Sequence, residues 1–149
     1  MTTRTESSLN TQTSSTVRGR LIWASLLAMS TASTVNLGLY AVAGYLFPRV
    51  AAWPGTGPMH IIVATIVYLL LATLVFAAVR RFSSRPARHY LIVATISLLF
   101  SMGPPISLGF GPGLPGVPPA DPTIAITLGL MHVISYAISV PMFIRMALD

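Results

Sequence analysis

The chain has 149 residues, 54% hydrophobic and only 8% charged, and its formal charge of +6 comes from nine Arg and no Lys set against Glu6, Asp121 and Asp149. An ordinary soluble domain carries roughly 25% charged residues, so this composition excludes a water-soluble fold that could cover its own surface. The lack of cysteine excludes disulfides, a thiolate nucleophile and thiolate metal sites.

In chain order, residues 1–17 are Ser- and Thr-rich with little apolar content, and are expected to form a disordered cytoplasmic tail. Residues 18–149 then form the membrane domain. A first apolar run over about 21–47 exceeds the core of a signal peptide and reads as a retained span. The cluster Pro48, Trp53, Pro54, Gly55, Gly57 and Pro58 is turn chemistry. A second span is expected over 59–79, long enough for a hydrocarbon core of about 30 Å at roughly 1.5 Å per residue. Arg80, Arg81, Arg85 and Arg88 form a short basic loop. A third span is expected over 90–106. From Gly103 to Pro122 the concentration of Gly and Pro predicts an irregular loop outside lipid, an outer lid over the bundle. Asp121 and Pro122 then suit the cap and first turn of a fourth span over 123–146. Pro141 within it frees the carbonyl of Ala137 and predicts a kink.

These spans predict an all-α bundle of four transmembrane helices. Arg4, Arg18, Arg20, Arg80, Arg81, Arg85, Arg88 and Arg145 fall on one side and Arg49 alone on the other, which by the positive-inside rule places both termini in the cytoplasm of a cell with the chain in its inner (plasma) membrane. Trp23, Tyr90 and Phe143 are expected at the inner interface, and Tyr45, Phe47 and Trp53 at the outer one. The arginines of the 80–89 loop set topology and could also hold anionic lipid head groups. Because they sit beside apolar runs and not on a soluble basic face, nucleic acid is not an expected partner.

Polar side chains inside lipid are the informative ones, since an unpaired buried polar group is costly. Counted from the outer ends of the spans, Asn36, Tyr68, Ser97 and His132 fall at similar depth, with Tyr136 one turn beyond His132 on the same face. This candidate intramembrane polar layer reads as a small pocket or as interhelical hydrogen-bond glue, with His132 expected within hydrogen-bonding reach of Asn36, Tyr68 or Ser97. No catalytic residue is assigned: Ser97 or Ser101 with His132 lacks an orienting acid. The segment GFGPGLPG at 109–116 lacks the Lys and Ser/Thr of a phosphate loop. No metal site and no cofactor is expected. Ala24, Ala28 and Ala32 at intervals of four, with small residues nearby, form a stripe for close helix packing, either within the chain or with a second protomer.

The four-span plan, Asn36 in span one, SLLFSMGPP at 97–105 and LGLMHVISYAISVP at 128–141 resemble an uncharacterised family of small four-helix bacterial integral membrane proteins, a domain of unknown function. The resemblance covers roughly residues 18–147 and implies the fold, with no activity and no catalytic residues to carry over. Two functional readings follow. One is a non-enzymatic packing or assembly component, a homo-oligomer or part of a larger membrane complex. The alternative is a transporter or channel for a small neutral or apolar compound; a proton-coupled exporter would need a membrane-buried carboxylate, which the spans lack.

Overall fold

The computed structural model describes the backbone of residues 3–148 and the side chains of residues 19–146. Six helices follow one another: α1 Thr3–Leu46, α2 Pro48–Ala52, α3 Pro58–Phe82, α4 Pro86–Ser101, α5 Gly103–Phe110 and α6 Pro122–Leu148. Four segments are long and apolar enough to cross a membrane: Gly19–Leu46, Pro58–Phe82, Pro86–Phe110 and Pro122–Met146. Helices of this kind pair nearly all of their backbone groups internally, which is what a bilayer core requires.

Two boundaries differ from the sequence expectation. The backbone of α1 is helical from Thr3, through the stretch expected to be a disordered tail. Adding residues to a helix already nucleated by an apolar span fixes one residue per hydrogen bond gained, so Ser and Thr are accepted there. The side chains of 1–18 lie outside the described residues. The third span also does not end near Ile106. Met102 keeps an αR backbone and α5 continues to Phe110, with Pro105 and Leu108 buried. Pro104 and Pro105 open α5, where a missing N–H costs little because the first turn has unpaired donors anyway. The irregular outer loop therefore shrinks to 111–121. Gly113 and Gly116 adopt positive φ of 81° and 74° there, and Ser107 Oγ donates to the Gly113 carbonyl at 2.8 Å, folding the loop back on α5.

α1 lies against both α6 and α3, α4 is joined to α3 by a short turn, and α5 packs on the outer half of α6. Ala24, Ala28 and Ala32 are all fully buried inside the single chain. At the end of the bundle shared by both termini, the expected inner end, Ala24 and Ala28 meet Phe76, Tyr90, Val140 and Phe143. Tyr90 and Phe143, expected near the inner interface, are buried among the helices at that end: the Phe76 and Tyr90 rings stand edge to face at 4.8 Å, and Phe143 lies 5.5 Å from Phe76. Arg20 Nε donates to the Met146 carbonyl at 3.2 Å, joining the inner ends of α1 and α6. The outer end has its own cluster of Ala43, Val50, Trp53, Leu108 and Ile124, and the Trp53 indole N–H donates to the Pro119 carbonyl at 3.1 Å. Gly109 is required there, because a Cβ on it would lie 2.2 Å from the Ala125 Cβ of α6.

Asp121 caps α6 as the sequence predicts, its Oδ1 accepting from the N–H groups of Thr123 at 2.9 Å and Ile124 at 3.1 Å. Its other oxygen lies 3.6 Å from the Arg49 guanidinium. The Ile124 N–H first, then the Thr123 N–H and Arg49, hold the Asp121 carboxyl below the usual carboxylate range, against an opposing desolvation. Because the folded-state pKa is depressed, the cap contributes its stability above the ordinary carboxylate pKa and loses it as pH falls through the lowered value. Asp121→Asn should keep the cap, since Asn serves equally at that position, but flatten the acid side of the stability profile. Unfolding in mixed micelles between neutral pH and strongly acidic pH measures this, and an unchanged acid limb in Asp121→Asn would contradict it.

Candidate functional site

α3 and α4 meet through the edge-to-face Phe76 and Tyr90 rings; α3 also packs on α1, and α4 and α5 also pack on α6. Between them lies a groove of about 820 Å³, within the size range of small-molecule sites. Its walls are mostly aliphatic. Val63, Val67 and Leu71 of α3 line it and are also exposed, so the groove is open sideways, toward the acyl chains of a surrounding bilayer. Gly55 and Thr56 form its outer rim. The 111–121 loop, expected to act as a lid over the bundle, contributes no lining residue and packs instead on the outer apolar cluster through Leu114 and Ala120.

The floor of the groove is polar, and the candidate layer maps onto it unevenly. Asn36, Tyr68, Ser97, His132 and Tyr136 all line the cavity. Asn36, 1% exposed, donates both amide hydrogens across helix boundaries, to Thr65 Oγ1 of α3 at 3.2 Å and to Ser135 Oγ of α6 at 3.0 Å. Its carbonyl oxygen is buried with no partner, a condition that costs roughly 1–3 kcal/mol. Tyr68 and His132 meet edge to face with ring centroids 5.5 Å apart.

His132 differs from expectation in its hydrogen bond. Its Nδ1 lies 2.8 Å from the Leu128 carbonyl of its own helix, and not against Asn36, Tyr68 or Ser97. A carbonyl can only accept, so Nδ1 carries the hydrogen and, in the neutral ring, Nε2 bears the free lone pair. Tyr136 reaches α4 instead, 2.8 Å from Thr95 Oγ1. Thr95 already donates to the Leu91 carbonyl, so the Tyr136 hydroxyl is the donor. Ser97 and Ser101 line the groove, and Ser101 Oγ donates to the Leu98 carbonyl at 2.8 Å. Thr65, Ser135 and Thr95 were not legible as partners, since a hydroxyl in a membrane helix ordinarily bonds its own preceding turn and gives no signal in the sequence.

At the opposite end of the bundle, Arg80, Arg81, Arg85 and Arg88 surround the α3–α4 turn. Among the described residues the one ion pair is Arg49 with Asp121. The Arg81 guanidinium lies 5.8 Å from the centre of the Phe82 ring, and His89 Nδ1 lies 2.6 Å from Ser83 Oγ. Arg20, Arg145 and these four share the end at which α1 and α6 meet, while Arg49 is at the other.

A bundle of four helices long and apolar enough to cross a membrane, around a laterally open groove lined among the described residues by no Asp, Glu, Lys or Arg, is the class of protein that this fold defines. The chain belongs to a family of unknown function (DUF6069), whose model matches residues 12–149. Comparison with curated proteins and with solved structures gives no match.

Proposed function

We propose that the protein is a non-enzymatic, multi-pass protein of the cell inner (plasma) membrane that binds a small neutral or apolar compound in the groove between α3 and α4 and carries it within or across the bilayer. The groove itself is the observation behind this reading: it is large, mostly aliphatic, open sideways, and lined among the described residues by no Asp, Glu, Lys or Arg. A charged substrate would find no counter-charge there. Gathering of arginines at the end shared by both termini supports a cytoplasmic placement of that end. On this reading the bilayer is the partner, and no nucleic acid, metal or cofactor takes part.

The packing reading keeps one observation of its own, the exposed aliphatic face of α4 with Leu91, Ile92, Ile96 and Leu99, which suits a homo-oligomer or a larger membrane complex. The alanine stripe lends it no support, because those residues are consumed inside the chain.

Placing a bulky ring in the groove separates the two. Ala64 lines the groove from α3 and is exposed, so Ala64→Trp fills space without displacing core. Protein in lipid nanodiscs should retain the neutral dye Nile red above empty discs, and Ala64→Trp should weaken that retention by about tenfold, the equivalent of roughly 1.4 kcal/mol. Retention equal to empty discs, or unchanged in Ala64→Trp, would remove the binding reading.

A further inference from the structure

We infer that the groove selects molecules carrying a hydroxyl or N–H donor on an apolar body, with the donor taken by the Asn36 carbonyl oxygen. This rests on the binding reading above and adds a chemical class to it. Asn36 lines the groove and is 1% exposed, both of its amide hydrogens go to α3 and α6, and its Oδ1 has no partner. A buried acceptor without a donor is rare in folded proteins and asks for an explanation. Three residues before Ser135, His132 lines the same groove with Nδ1 committed to Leu128, so its Nε2 is a second free acceptor. Of the groove hydroxyls, Tyr136 donates to Thr95, whose own hydrogen goes to the Leu91 carbonyl, and Ser101 donates to the Leu98 carbonyl.

The floor thus holds a buried acceptor without a donor, and among the described residues no Asp, Glu, Lys or Arg lines the groove. A ligand with only acceptors, such as an ether or a ketone, leaves Oδ1 unsatisfied. A lipid-soluble alcohol, phenol or secondary amide satisfies it while its apolar body lies along Val63, Val67 and Leu71. Lateral opening fits such a ligand, because it partitions into the bilayer and reaches the groove from there.

The test uses the full chain in nanodiscs with two fluorescent probes, 1-pyrenebutanol and its methyl ether, each corrected for uptake by empty discs. The alcohol should bind about 3- to 10-fold tighter than the ether, the range of one net hydrogen bond, and that ratio should fall to about one in Asn36→Leu. Equal binding of alcohol and ether by the unmodified protein overturns the inference and leaves the binding reading standing. So does a ratio that survives in a folded Asn36→Leu. Binding of neither probe above empty discs, or binding undiminished by Ala64→Trp, overturns both. Should Asn36→Leu fail to fold, the alcohol-to-ether ratio of the unmodified protein decides alone.

Discussion

Phe143→Ala should lower the stability of the bundle by about 2–3 kcal/mol. Phe143 is fully buried, with its ring 5.5 Å from Phe76 and 6.0 Å from Tyr90, so it is the α6 member of an aromatic trio that also ties α3 to α4. In a water-soluble core the same truncation costs roughly 3–5 kcal/mol, part of it the transfer of the ring out of water. Within a bilayer the separated helices are already solvated by acyl chains, so the transfer contribution shrinks and the loss of packing remains. Phe143→Leu should recover about half of the loss, because it refills part of the cavity. Reversible unfolding in mixed micelles gives both numbers, and a loss below about 0.5 kcal/mol for Phe143→Ala would show that the trio does not hold the inner end. The groove should respond as well: Tyr90 lines its inner end, so loosening the trio lengthens the cavity toward the Arg80–Arg88 turn.

How far the sequence reveals this molecule depends on which signal each residue sends. The spans were legible because runs of apolar residues of bilayer length have few alternatives, and the Asp121 cap because a carboxylate before Pro122 has a specific geometry to satisfy. The extension of the third span through α5 was not legible. Pro104 and Pro105 break a helix when they lie inside it and start one when they open it, and only the backbone of Met102 distinguishes the two cases. Asn36 stood out because an amide in lipid has no local backbone partner to hide in, whereas Thr65 and Ser135 do. Counting residues from the outer ends placed Tyr68 and His132 at one depth, and their rings meet. Depth carries no information on direction, however, so the bond from His132 to Leu128 and that from Tyr136 to Thr95 could not be read from spacing. The groove was the least accessible of all: its lining comes from α1, α3, α4 and α6 together, and depends on which neighbour each helix packs against.

The alanine stripe shows how that packing choice is enforced. Ala24, Ala28 and Ala32 lie at 0% exposure along one face of α1, and in lipid close approach is the main source of helix–helix attraction. Nearby, Ser25 Oγ lies 3.1 Å from Thr73 Oγ1 of α3, a polar contact that larger neighbours would hold apart. Ala28→Leu adds three carbons where there is no free volume, and the stripe cannot relieve this by a rotamer change because its neighbours Phe76, Val140 and Phe143 are themselves packed. The expected cost is about 2–3 kcal/mol, the upper part of the range for overpacking, with Ala28→Gly and Ala28→Ser costing about 1 kcal/mol or less. The pattern separates the two roles a small-residue stripe can serve. If α1 docks within its own chain, Ala28→Leu lowers the unfolding free energy independently of protein concentration in the micelle and leaves the native mass unchanged. A stripe that joined two protomers would give a different result: a concentration-dependent loss and a shift in native mass toward the single chain, with the monomer's own stability intact. Separation of α1 from α6 would also pull Asn36 away from Ser135, 3.0 Å away in the intact bundle, so Ala28→Leu should weaken ligand retention in the groove although residue 28 does not line it.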